Sequence, residues 1–467
     1  MDFAVDTNRE FFQGLKSVCE NSTKHLFSSG QLRHKESMSR FKPYRPEQAY
    51  LLPPSVKDVL GAGHLCFFVQ QVIGQLDLSR FEEQYSAEGG ELYAVPLMLS
   101  VWLYAYATGL TSARELERRI REDLPLRYLA GGAQPDHWAL SAFRRQHGRG
   151  INEVFTQTLE LVRDAGLGKL GIVAVDSTPI AAHNGKQRVD TRQRLRQERA
   201  KYRRQVRHWQ KQCDAAGAPV AAEYAAEQLQ RVQQRLAELP KRLQALKKSG
   251  EARLPRTDGE ARVLRKRGRS VIGYTAELAV SEDHMIVAQR VTQQKADNDS
   301  LLPMLAEVQR QCGAPPQTVL ADAGYYKNAN LRQLEAEKID AYIPDSNMAA
   351  ALNRGRRVRG QARAGEMKRM RAKLRSPEGR KLYAQRKALV EGPFGTLKSE
   401  RDLHRFRLCG LQKVGIEFTL GAIGHNLTRW HAERDPHSAI WCRRRARERR
   451  RNPRQTNNHK ARTCRNT

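Results

Sequence analysis

The chain has 467 residues, in which 82 Lys and Arg stand against 50 Asp and Glu, for a formal net charge of +32 at pH 7. At this length two or three domains with extensions are expected rather than one compact unit, and so large a positive excess calls for a polyanionic partner, nucleic acid first among them. Seven scattered cysteines with no C-x-x-C pair argue against a structural zinc site and fit a reducing compartment.

The first residues, Met1-DFAVDTNREFFQG, lack a basic-then-apolar secretory pattern, and the most apolar run, Pro96-LMLSVWLYAYATGL, is too short to span a bilayer. No basic amphipathic or lipidated segment points to a membrane surface. The expected location is the cytoplasm, in association with the nucleoid, and no membrane partner is expected.

In chain order, residues 1–45 read as a leader. Over 46–168 helical patterns dominate: Leu97, Val101 and Tyr104 recur at helical spacing, while Arg114, Glu117, Arg118 and Arg121 line an opposite face. This predicts an all-α N-terminal domain that binds DNA, with a basic helix after Gln134-PDH, capped by Ser141, lying on phosphates. The plain alternative for that helix is a solvated charged face.

Gly171-IVAV reads as a short buried strand ending at Asp176, after which strand character is absent until Val271. Within that gap Leu195, Tyr202, Val206 and Trp209, then Ala225, Leu229, Val232, Leu236, Leu239, Leu243 and Leu246, recur at three- and four-residue steps. The seam predicts an inserted antiparallel coiled-coil hairpin over 187–255, kinked at Pro240. A DNA-touching arm, a dimerisation element and a spacer all remain open for it.

From Val271 the chain reads strand (271–280), strand (285–291), helix (300–311), strand (318–321), helix (328–337) and strand (341–344). A basic stretch from Asn353 and a helix carrying Tyr383 to Leu397 follow, then a tail over 431–467, expected to be disordered and to bind nucleic acid. Without the insertion this is the element order of a ribonuclease H-like fold. The expected fold is thus an α/β catalytic core over 169–430, a mixed sheet flanked by helices, preceded by the all-α domain. Asp176 would end the first strand and Asp322 the fourth, with Glu391 on the final helix.

Three acids in those settings suit phosphodiester chemistry, which needs a nucleophile made potent at neutral pH and stabilisation of charge on the attacking and leaving oxygens. Mg²⁺, for which Mn²⁺ can substitute, prefers hard oxygen ligands and is held by a few carboxylates, so Asp176, Asp322 and Glu391 are both the candidate catalytic set and the candidate metal set. Taken singly, each has an ordinary reading, since Asp often caps a turn and Glu is common on helices. Asp299 and Asp136 are left out as capping or turn residues.

The chain resembles bacterial insertion-sequence transposases of the DDE type. Tyr383, Arg386, Glu391 and Lys398 resemble the family's Y-x2-R, E-x6-K signature, although four residues rather than the common three separate Arg386 from Glu391. Val175-DSTPIAAHN and Ala321-DAGYY resemble the settings of the first two acids, and Thr257-DGEARVLRKRG, Gly273-YTAELAV and Gly424-HNLTRW add to the likeness. Leu51-LPP, Tyr104-AYATGLTSARELE and Gln134-PDH resemble an InsH-like helical N-terminal domain. The resemblance implies cleavage of DNA at insertion-sequence ends and joining of the 3′-hydroxyl to target DNA by a homo-oligomer, with Tyr383, Arg386 and Lys398 contacting DNA. The alternative is a non-catalytic DNA-binding protein derived from such an enzyme.

Overall fold

The computed structural model describes residues 55–83, 92–185, 188–266, 268–354, 358, 360–362 and 365–434. The expected leader, the Leu51-LPP motif and the basic tail beyond Arg434 lie outside the described residues.

The described residues open with α1 (Val56–Val59), α2 (Leu65–Ile73), α3 (Ser79–Glu82), α4 (Val95–Ala107), α5 (Ala113–Glu122), α6 (Leu124–Leu129), α7 (His137–Gln146) and α8 (Gly148–Asp164). α4 departs from the one-faced pattern expected of it: every residue from Met98 to Ala107 is buried. Its sequence is apolar all round because α2 and α6 cover one side and α16 (Leu411–Arg434) the other. α16 approaches so closely that a Cβ on Gly424 would stand 2.8 Å from the Ala107 nitrogen. It also packs on α8 and on the sheet, so helices and sheet share one continuous hydrophobic cluster.

The sheet contains β1 (Ile172–Ala181), β4 (Arg262–Lys266), β5 (Arg269–Ser281), β6 (Ile286–Thr292), β7 (Thr318–Ala321) and β8 (Asp340–Tyr342). β1 lies between β5, antiparallel to it, and β7, parallel to it; β8 continues in parallel beyond β7. β6 and β4 pair antiparallel with β5. This mixed, curled sheet with flanking helices is consistent with an α/β core of the ribonuclease H-like type. α11 (Leu301–Cys312) packs against β5 and β6, while α15 (Pro377–Gly395) crosses β1, β5 and β7.

Two expectations are corrected here. β1 does not end at Asp176 but runs five residues further, to Ala181, because β5 pairs with it as far as Ala181 opposite Gly273. Only glycine permits that approach, since a Cβ at 273 would stand 1.9 Å from the Ile180 carbonyl oxygen. The strand β4 was not expected, because an edge strand that buries only Leu264 among its described side chains reads from its charges as loop.

Between β1 and β4 the chain forms a two-stranded ribbon, β2 (Val189–Asp190) with β3 (Leu254–Pro255), from which α9 (Arg192–Ala215) and α10 (Pro219–Lys248) project. The two helices pack on one another through Leu195, Leu239 and Leu246, with Tyr202, Leu236 and Leu243, in a cluster separate from the main core. α10 contains Pro240 inside its span and continues past it. The basic stretch after Asn353 contributes the end of α13 (Ser346–Arg354) and then α14 (Gly365–Arg375), whose Arg371 is buried against Asp345 at 2.7 and 2.9 Å. α12 (Asn328–Ala336) lies between β7 and β8 in the chain.

Candidate active site

The parallel pairing of β1 with β7 sets Val175 opposite Ala321, so Asp176 and Asp322, the next residue on each strand, emerge at the same level on neighbouring strands. Both strands are apolar up to that point: Val173, Ala174, Val175, Val319, Leu320 and Ala321 are fully buried. The carboxylates thus sit at the end of a buried scaffold, and the Asp176 side chain is still 23% accessible. β7 stops at Ala321 because Asp322 caps the next turn, its Oδ1 accepting the Gly324 N–H at 2.9 Å.

α15 lies over this position and presents Tyr383, Arg386, Val390 and Phe394 to the sheet. Arg386 Nη1 stands 3.4 Å from Asp176 Oδ2, and its guanidinium carbon is 5.9 Å from the centre of the Tyr383 ring. Burial raises the Tyr383 hydroxyl pKa; Arg386 opposes the shift, and the negative charges of Asp322 and Asp176 add to it. Tyr383 therefore lies in the field of both acids. α15 contains Pro393 and then widens into a single π-helical turn, Thr396–Glu400. On that turn Lys398 Nζ donates to Thr178 Oγ1 and, at 3.3 Å, to the Pro179 carbonyl, just past Asp176 on β1.

Glu391 is placed differently. It stands on the exposed flank of α15 with 64% of its side chain accessible, 3.8 Å from Lys387 one turn earlier. Arg386 and Glu391 are five residues apart, which on a helix puts them on different faces. Among the described residues no group of three His, Cys, Asp or Glu is gathered closely enough to hold a metal ion.

A polar layer that the sequence reading did not single out backs the two aspartates. By strand alternation Ser177 points to the opposite face from Asp176, where its Oγ donates to Asp297 Oδ1 at 2.7 Å. Glu277, opposite Ser177 on β5, is fully buried, and burial raises its pKa. Tyr325 is also buried; burial raises its hydroxyl pKa well above the usual value, with Asp297, Glu277 and Asp176 adding to the shift. A Cβ at Gly324 would lie 3.0 Å from Asp322 Oδ1 and 3.2 Å from Asp297 Oδ2, so this glycine is what lets the two carboxylates flank one turn. The segment Lys295-ADNDS drew notice for Asp299, but that residue pairs with Lys327 at 2.7 Å and it is Asp297 that reaches the site. Asp136 caps α7, accepting the Ala139 N–H at 2.7 Å.

Residues 249–427 match the family model described as a transposase DDE domain, and residues 54–146 match the transposase domain DUF772. The chain belongs to the DDE transposases of insertion sequences. No curated protein and no solved structure matches it. The two matches place the transposase's Asp322 and Glu391 within the DDE region, while Asp176 and the α9–α10 hairpin precede it. Membership implies DNA binding and a nuclease and strand-transfer activity. Among the described residues no helix is long and apolar enough to cross a membrane.

Proposed function

We propose that this transposase cleaves DNA at insertion-sequence ends and joins the freed 3′-hydroxyl to target DNA, with Asp176 and Asp322 as its central metal-binding acids and Glu391 as the third. The observation that carries the reading is the β1–β7 register, which delivers two carboxylates side by side from buried strands. Their chemistry fits Mg²⁺ or Mn²⁺: the donors are hard oxygens, and glycine at 324 keeps the turn beside Asp322 and Asp297 clear of a side chain. Bound there, divalent ions supply an activated oxygen nucleophile and neutralise charge on attacking and leaving oxygens.

The chain's own side chains do the positioning. Arg386 stands 3.4 Å from Asp176 and would orient that carboxylate or meet a phosphate beside it. Tyr383, near both aspartates, and Lys398, bonded to β1 just past Asp176, steady the DNA beside the scissile bond. Glu391, exposed and 3.8 Å from Lys387, would supply the third carboxylate.

The test is a strand-cleavage assay on duplexes carrying the element's own ends, with Mg²⁺. Asp176→Ala, Asp322→Ala and Glu391→Ala are each expected to abolish cutting while binding remains, because affinity comes mainly from Lys and Arg on phosphates. Cutting by one variant at the wild-type rate removes that residue from the site. The outward position of Glu391 favours, as second reading, a DNA-binding protein without catalysis, which would bind the ends and leave them intact.

A further inference from the structure

The hairpin has no part in the site just described, yet its two helices are charged very differently. α9 carries Arg192, Arg196, Arg199, Arg203 and Arg207, all exposed, at steps of four, three, four and four residues. On a helix these positions form one stripe about 22 Å long, beside the seam that packs on α10. None of the five makes an ion pair among the described residues. On α10, Arg231 is matched by Glu227 at 2.5 Å and Arg242 by Asp190 at 2.6 Å, while the exposed Arg235, Lys241, Lys247 and Lys248 are spread around the helix rather than along one stripe.

The charge on α9 also runs against the helix's own dipole. Its first turn, where acids are favourable, contains none and begins with Arg192; its last turn, where bases are favourable, contains none either. Helix stability therefore does not account for the arrangement, whereas an anion along the stripe does.

The root of the hairpin is rigid. Asp190, only 3% exposed, accepts both Nε and Nη2 of Arg242, at 2.9 and 2.6 Å, and Nε of Arg256 at 2.6 Å. Glu198 completes the cluster, 2.8 Å from Arg242 and 2.5 Å from Arg256. Ion pairs this dry contribute little net stability for their desolvation cost, but they fix direction. Arg256 further ties the outgoing stem to the incoming one, its N–H donating to the Arg188 carbonyl at 3.0 Å. The stripe is thus held on a strut that leaves the sheet just after the strand bearing Asp176.

We infer that this flank of α9 is a track for the phosphate backbone of duplex DNA, contacted without regard to sequence. The inference rests on DNA being the substrate, as proposed above, but not on the chemistry at Asp176. The experiment uses the full chain with all four of Arg196→Gln, Arg199→Gln, Arg203→Gln and Arg207→Gln, since Gln retains helix propensity. The control removes equal charge from exposed positions spread around α10: Arg235→Gln, Lys241→Gln, Lys247→Gln and Lys248→Gln. Affinity for a labelled duplex of arbitrary sequence is followed between about 50 and 200 mM salt, where each lost phosphate contact lowers the log–log slope by about 0.9. The α9 variant is expected to lose about three to four from the slope and the control less than one, with unfolding temperatures unchanged. Equal slopes for the two variants, or an α9 variant that changes oligomeric mass and not slope, would overturn the inference. Cleavage of end-bearing duplex at low salt and saturating protein separates the two readings: a wild type that binds but never cuts defeats the proposed function and leaves the slope comparison standing.

Discussion

Asp176 and Asp322 owe their closeness to one pairing, and the precision of the site then depends on what surrounds it. Gly324 is the most sensitive neighbour. Its ordinary backbone tolerates a side chain, but a methyl group there would meet Asp322 Oδ1 and Asp297 Oδ2 at 3.0 and 3.2 Å and push the carboxylates apart. Gly324→Ala is therefore expected to lower the cleavage rate by about three- to tenfold, since the carboxylates must give by a few tenths of an ångström where a displacement of about 1 Å costs about 100-fold. Thermal unfolding and duplex affinity should hardly move, and a cleavage rate within twofold of wild type would show that the turn does not govern the site. His425 offers a residue-scale test of stability against pH. Burial lowers its pKa to about 4, the His284 carbonyl it faces at 3.0 Å opposes the shift, and Arg401 and Arg429 deepen it. A depressed histidine is neutral when folded and binds its proton when unfolded, so stability is intact above pH ~6.5 and falls as pH drops toward about 4. By the lower end the loss should reach roughly 3 kcal/mol, and His425→Gln should flatten that part of a denaturation series measured against pH.

At the scale of elements, α16 is the piece that joins helices to sheet, and one side chain on it completes an edge strand. Asn426, fully buried, donates Nδ2–H to the Ile286 carbonyl at 2.8 Å and accepts the Ile286 N–H at 2.9 Å, serving β6 as a neighbouring strand would. Asn426→Leu keeps the volume but orphans two buried backbone groups. The expected cost is about 2 to 4 kcal/mol by chemical denaturation, and a loss under 0.5 kcal/mol would show that the edge finds other partners. The same logic explains the length of β1: glycine at 273 lets β5 stay paired through Ala181, which keeps Thr178 in line to receive Lys398 from the π-turn.

For the whole molecule, the separation of the hairpin's apolar cluster from the main core makes a prediction about modularity. Replacing residues 192–248 by a short Gly/Ser linker leaves every strand pairing of the six-stranded sheet in place. The shortened chain is expected to unfold within a few degrees of the full one while binding duplex DNA more weakly and with a shallower salt slope. Loss of cooperative unfolding would mean that the hairpin is part of the core after all, and unchanged affinity would reduce it to a spacer. The positive excess of the chain, +32 overall, predicts steep salt dependence in any case.

The sequence by itself was enough to find the two buried strands that lead to Asp176 and Asp322, because an apolar run ending or interrupted by a single acid is a local pattern. Membership of the DDE transposases followed from spaced motifs of the same local kind. The packing of Leu195, Tyr202, Leu239 and Leu246 was likewise legible as a helical period. What pairing decides was not legible. Strand register set Asp176 in mid-strand beside Asp322, and the facing of α15 put Arg386 rather than Glu391 against Asp176, since a signature counts residues along the chain and not angles around a helix axis. Asp297 could not be told from Asp299 in a loop without periodicity; only the turn at Gly324 and the hydroxyl of Ser177, brought from distant parts of the chain, made one of them part of the site.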